Sequence, residues 1–173
     1  MEMAKFVPAM IITLTGFMGS GKTTVGEILA RKLGYEFFDL DRYLEHKWCG
    51  TIPELFSRGE LWFRAAEAEA LRDLIIMSQV AGTDRVIALG GGTFSNPVLR
   101  SLILESTVSV FLSVPLDVAL SRTGSAAEAR PMLGLYDAES LYNSRLADYS
   151  LASLTVDATA SPAAVADSIA SSL

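Results

Sequence analysis

The residues best suited to chemistry begin at Gly16-Phe17-Met18-Gly19-Ser20-Gly21-Lys22-Thr23-Thr24, an unbroken match to the phosphate-loop pattern G-x-x-x-x-G-K-S/T. Glycines there let backbone N–H groups turn inward around phosphate oxygens, and a helix starting at the lysine adds a dipole that favours negative charge. Gly19, Ser20, Gly21 and Thr24 complete such a cradle. Lys22 supplies a cation for the outer phosphates of a nucleotide, and the Thr23 hydroxyl is placed to coordinate Mg²⁺. The bland alternative is a glycine-rich strand-to-helix turn with a solvated lysine. The loop does not by itself choose between a kinase, a switch and a motor. An Asn-Lys-x-Asp guanine reader and an Asp-x-x-Gly switch are both missing from the sequence, which argues against a GTPase.

Further chemistry-bearing residues follow downstream. Asp39-Leu40-Asp41 closes a second apolar segment, where strand alternation would send both carboxylates to one side. One could support Mg²⁺ while the other orients or deprotonates an acceptor hydroxyl; alternatively Asp41 only caps a helix and Asp39 is solvated. Arg64 has Glu60 four residues before it and Glu67 three after, which could be a surface ion-pair ladder. Its neighbours Trp62 and Phe63 argue instead for a half-buried guanidinium in a fixed orientation, the construction of a carboxylate reader. Gly90-Gly91-Gly92 costs backbone entropy unless something must approach the main chain closely; a plain tight turn would use one or two glycines, so the triplet points to a ligand against the backbone. Arg130-Pro131 lies in a stretch, Gly124 to Gly134, with no apolar period, read as a mobile loop that could swing a cation over a transferring phosphoryl group. Arg122 could stack on a base, and Arg145 is a further candidate for an anionic substrate group.

These residues need elements to hold them. Short apolar segments at Met10 to Thr15, Glu36 to Leu40, Arg85 to Leu89, Val108 to Leu112 and Leu154 to Val156 alternate with helical patterns. The helices are expected at Lys22 to Leu33, Asp41 to Trp48, Pro53 to Ser57, Glu60 to Ser78, Pro97 to Glu105, Leu116 to Thr123, Ala138 to Ala152 and Ala163 to Ser172. Such alternation predicts an α/β fold, a parallel sheet between two helical layers. Near-continuous apolarity in the first, third and fourth segments fits strands buried on both faces.

The chain has 173 residues, 50% of them hydrophobic and 20% charged, with a formal net charge of −6. That length suits one domain, and the acidic balance with no basic run disfavours nucleic acid or an anionic membrane as partner. A few clefted arginines still act on a small anion within the screening length of about 8 to 10 Å. The lone Cys49 has no disulfide or zinc partner, which predicts a reducing compartment, and His46 reads as a surface residue. Lys5 followed by Phe6 to Leu14 imitates a short secretory signal, but Pro8 and Thr13 interrupt it and it runs into the glycine loop. No stretch approaches the roughly 20 apolar residues of a membrane span. A cytoplasmic protein is expected.

Taken in order, Gly16 to Thr24, Asp39-x-Asp41, Ile52 through Glu67 with Phe56, Gly59-Glu60 and Phe63-Arg64, then Gly90 to Gly92, Arg130-Pro131 and Arg145 resemble the shikimate kinases. This family is a nucleoside-monophosphate-kinase-like branch of phosphate-loop proteins. The resemblance implies a three-layer α/β/α fold with a five-stranded parallel sheet in the order 2-3-1-4-5, one domain over 1–173, substrate-binding helices at about 41–78 and a lid at about 124–134. It implies transfer of the γ-phosphate of ATP to the 3-hydroxyl of shikimate, in aromatic amino acid biosynthesis. On that resemblance Asp41 binds substrate hydroxyls and acts as base, Arg64 and Arg145 hold the carboxylate, and the Gly90 to Gly92 segment contacts substrate through Gly91. Glu67 supports Arg64, Arg130 is the lid cation, Arg122 contacts adenine, and Thr23 and Asp39 serve Mg²⁺. Asp157-Ala158-Thr159-Ala160 lacks a basic residue that some relatives place near adenine, so ATP over GTP rests on the resemblance alone.

Two other readings stay open at this point. A related kinase for gluconate or a nucleoside monophosphate would share the loop but has less use for Arg64 and Arg145. A non-catalytic nucleotide-sensing module would keep the loop without needing Asp41, Arg64 and Arg130 together. A monomer is the expected state.

Overall fold

The computed structural model describes residues 8–123 and 137–173. Five of the apolar segments form strands: β1 (Ile11–Thr15), β2 (Glu36–Asp39), β3 (Arg85–Ala88), β4 (Val108–Ser113) and β5 (Leu154–Asp157). Every neighbouring pair is parallel, in the order β2-β3-β1-β4-β5, the order that the family resemblance implies. β1, β3 and the middle of β4 are buried, which is why their sequences read as apolar runs and not as alternations. The edge strands β2 and β5 are more exposed.

The helices are α1 (Lys22–Leu33), α2 (Leu40–Trp48), α3 (Ile52–Ser57), α4 (Glu60–Ala81), α5 (Pro97–Ser106), α6 (Leu116–Thr123), α7 (Ala138–Tyr149) and α8 (Pro162–Ser172). Their starts follow capping chemistry: Thr51 and Glu54 form a reciprocal capping box on α3, and Asn96 caps α5 just before Pro97. In α4, Phe63, Ala66, Glu67, Ala70, Leu71, Leu74, Ile75 and Ser78 make the buried stripe, at the spacing of one helical face. The helix runs past the expected Ser78 to Ala81. Its last turn has lost the apolar period, with Val80 exposed, and it stops only where Gly82 takes the left-handed conformation.

Chain direction then decides where the loops meet. From β1 the chain crosses α1 to the β2 edge, whereas from β3 it crosses α5 the other way to β4. Right-handed crossovers in opposite senses put α1 and α5 on opposite faces, and α8 joins α1 on its side. The sheet therefore has a switch point between β1 and β3, where connections diverge and leave a crevice. Leu14 pairs with Ala88, and the Leu89 N–H donates to the Leu14 carbonyl at 2.9 Å. The loop after β1 and the glycine triplet after β3 thus leave the sheet side by side. Among the described residues no helix is long and apolar enough to cross a membrane.

Leu71 is fully buried in the α4 stripe. Leu71→Ala is expected to cost about 2 to 5 kcal/mol of stability, read as a lower midpoint in urea with an unchanged slope.

Candidate active site

The phosphate loop is shaped by its own glycines and carbonyls. At Gly19 φ is +78°, and a Cβ there would lie 2.1 Å from the Ala119 carbonyl oxygen, so only glycine fits. The Ser20 N–H donates to the Phe17 carbonyl at 3.1 Å, closing a turn. The Ser20 hydroxyl is buried beside Gly16. Lys22 Nζ arches over its own loop, donating to the carbonyls of Gly16 at 2.8 Å and Phe17 at 3.1 Å. That holds the ammonium at the mouth of a cavity of about 370 Å³, which Gly19, Gly21, Thr23, Thr24, Asp39 and Asp41 also line.

The acidic pair reaches this cavity by a route other than strand alternation. β2 ends at Asp39 and α2 starts at Leu40, so the two carboxylates are not two positions of one pleat. Asp39 is the helix cap: its Oδ1 accepts from the N–H groups of Asp41 at 3.1 Å and Arg42 at 3.2 Å. Its Oδ2 accepts from the Thr23 hydroxyl at 2.6 Å, which ties the start of α1 to the end of β2. Asp41, in the first turn of α2, stands beside Gly90. Across the same cavity Arg122 donates to the carbonyls of Ala158 at 2.9 Å and Thr159 at 3.1 Å. It joins α6 to the loop before α8, with Pro162 on the same wall.

A second cavity, about 640 Å³, carries Arg64, Gly92 and Arg145 on its lining. Arg64 Nη1 donates to Glu67 Oε2 at 2.8 Å, while Glu60 lies farther off at 3.7 Å and is exposed. Glu67 is not a rung of a surface ladder. It is 1% exposed, and its other oxygen accepts from the buried Thr93 hydroxyl at 2.5 Å. A carboxylate removed from water needs such partners, and it holds Arg64 in return. Phe63 adds a ring 5.4 Å from the guanidinium.

The triplet sits where these groups converge. None of Gly90, Gly91 and Gly92 has a positive φ; the requirement is space. A Cβ on Gly90 would come within 2.9 Å of Asp41 Oδ1, on Gly91 within 3.2 Å of Arg145 Nη1, and on Gly92 within 2.9 Å of Arg64 Nη2. The close approach inferred from three consecutive glycines is made by the protein's own charged side chains. Tyr149, also buried, donates its hydroxyl to the Gly91 carbonyl at 2.5 Å. Burial pushes the phenol up to about 12, against the pull of neighbouring Arg145.

Sequence reasoning missed Thr93 and Tyr149. The available signals were weak: a threonine directly after the triplet, and a tyrosine one helical turn beyond Arg145. Arg130 lies outside the described residues, as does the whole 124–134 segment. His46 and Cys49 are exposed and away from both cavities. Among the described residues no cluster of three or more His, Cys, Asp or Glu side chains could hold a metal. Thr23 and Asp39 are oxygen donors of the hard type that suits a hydrated magnesium ion.

A parallel sheet of this order, with a phosphate loop at its switch point and a cavity lined by Arg64 and Arg145 beside it, places the chain in the phosphate-loop class. Residues 18–173 match the sequence profile of the shikimate kinases; the chain belongs to the shikimate kinase family. It is 46% identical over 123 residues to a shikimate kinase of Geobacter sulfurreducens, an alignment that covers 70% of this chain and 65% of that protein. With a shikimate kinase of Bacillus pumilus it shares 36% over 144 residues, covering 81% of this chain and 76% of the other. The chain thus spans just under two thirds of the Geobacter protein and about three quarters of the Bacillus one. The structure of shikimate kinase from Acinetobacter baumannii in complex with shikimate is similar at a TM-score of 0.83 and 32% identity, over 94% of this chain and 91% of that one.

Gly19→Ala forces a side chain against the Ala119 carbonyl in a backbone region L-residues avoid. It is expected to lower stability by about 1 to 3 kcal/mol and to abolish nucleotide affinity, measured by denaturation and by calorimetric titration with ATP.

Proposed function

We propose that this protein transfers the γ-phosphate of ATP to the 3-hydroxyl of shikimate, giving shikimate 3-phosphate and ADP. The observation that carries the reading is the meeting of Asp41, Arg64 and Arg145 around the glycine triplet, directly beside the phosphate loop. Family membership supports it.

Arg64 and Arg145 take the substrate carboxylate, and the Gly91 backbone steadies the ring. These contacts are remote from the reacting atoms and equal before and during reaction, so they set how tightly the acid is held beside the γ-phosphorus. Asp41 accepts the hydroxyl proton as the new O–P bond forms and the bond from the γ-phosphorus to its bridging oxygen breaks. Lys22, anchored over the loop, faces the outer phosphates and stabilises the charge that shifts onto the leaving group. The N–H groups of Gly19, Gly21 and Thr24 belong to the same cradle, with Ser20 closing its turn, and Arg122 with Pro162 provides the wall for the base. Arg130 would add a cation on the transferring group. Thr23 and Asp39 are the residues to hold Mg²⁺, which when bound neutralises phosphate charge. The same reading has the protein act as a monomer in the cytoplasm, as one domain over 1–173, without nucleic acid or membrane.

Coupled ADP release with shikimate, gluconate, AMP and CMP as acceptors separates the candidates. Turnover is expected with shikimate alone. Turnover with gluconate or a nucleotide, or nucleotide binding with no acceptor turned over, would contradict the reading. Asp41→Asn is expected to lower kcat about 10²- to 10⁴-fold with an unchanged melting temperature. Arg64→Ala removes a contact present equally before and during reaction, so the KM for shikimate rises about 10- to 100-fold with a much smaller change in kcat.

A further inference from the structure

Tyr149 heads the wholly buried side chains of the described residues in volume. Its ring packs on Phe111 of β4 with centroids 5.3 Å apart. Phenylalanine would fill that space without the cost of burying a hydroxyl, so the oxygen needs its own explanation. The phenol donates to the Gly91 carbonyl at 2.5 Å, and Arg145 Nη1 lies against the same glycine, 3.2 Å from where a Cβ would stand. Arg145 and Tyr149 are four residues apart on α7, hence on one face of the helix. Gly91 borders the phosphate-loop cavity and Arg145 borders the acid cavity. One buried oxygen therefore fixes the strip of main chain between the two cavities, the strip against which the Arg145 guanidinium lies.

We propose that Tyr149 is a positioning residue for the substrate carboxylate, its hydroxyl fixing the Gly91 backbone against which the Arg145 guanidinium lies, so that both meet the acid in one fixed geometry. A buried arginine that can rotate about its long side chain loses the benefit of two fixed N–H donors; a rigid strip of main chain to lie against preserves it. The phenol stays protonated across the working range because burial raises its pKa, so the donor to Gly91 is always present. The inference rests on the reading of shikimate as acceptor.

The test is Tyr149→Phe, which removes one oxygen and keeps the ring. The KM for shikimate is expected to rise about tenfold, while kcat and the KM for ATP stay within about twofold of the parent. In an Arg145→Met background the same change is expected to raise the shikimate KM by less than about twofold, because the group it positions is gone. Phe111→Leu, which loosens the ring contact and spares the hydroxyl, is expected to lower the melting temperature and leave the shikimate KM within about twofold. An unchanged shikimate KM in Tyr149→Phe, a rise shared equally by both substrates, full multiplicative effects in the Arg145→Met background, a Phe111→Leu effect as large on KM, or loss of the fold on removing the single oxygen would each overturn the proposal. If the unaltered protein turns over no shikimate, the acceptor assignment fails first, and that outcome is distinct from all of these.

Discussion

A strip of main chain without side chains is the constraint around which the site is organised. At Gly90, Gly91 and Gly92 the atoms nearest to where a Cβ would stand belong to the carboxylate of Asp41 and the guanidinium groups of Arg145 and Arg64. Charged groups of both signs come within reach of one small ligand only because the polypeptide between them is bare. Topology supplies the strip's location. It leaves the sheet beside the phosphate loop because β1 and β3 are neighbours whose connections run in opposite senses.

The two guanidinium groups are held by different means. Arg64 is paired with Glu67, itself buried and held by Thr93, so its position is set by a charge-assisted contact. Arg145, itself buried, lies against the Gly91 backbone, whose carbonyl the Tyr149 hydroxyl holds. On the nucleotide side the same economy recurs: Asp39 caps α2 and accepts from Thr23, one carboxylate fixing two elements at once.

Much of this was legible in the sequence, for reasons that differ by residue. The phosphate loop is a contiguous motif whose geometry is local, so Gly16 to Thr24 announces itself, and buried parallel strands such as Ile11–Thr15 betray themselves by unbroken apolarity. Asp39 and Asp41 were placed in the right cavity through the wrong geometry, since a cap at the end of a short strand looks like one more strand residue in a one-dimensional pattern. The triplet predicts a ligand close to the backbone, whereas the groups that the structure brings against it are the protein's own side chains. Thr93 and Tyr149 stayed hidden because their contacts join residues 26 and 58 positions apart. A buried threonine and a buried tyrosine have no periodicity that separates them from ordinary core. The segment about 124–134, with Arg130, lies beyond the described residues.

The most direct measurement of the central claim is a crystal structure with shikimate and a non-hydrolysable ATP analogue bound together. The account predicts the shikimate carboxylate within hydrogen-bond distance of both Arg64 and Arg145, beside the Gly91 backbone, with the 3-hydroxyl against Asp41 and facing the terminal phosphate. A carboxylate turned to solvent, or an acceptor hydroxyl remote from Asp41 while both guanidinium groups stay unengaged, would contradict it.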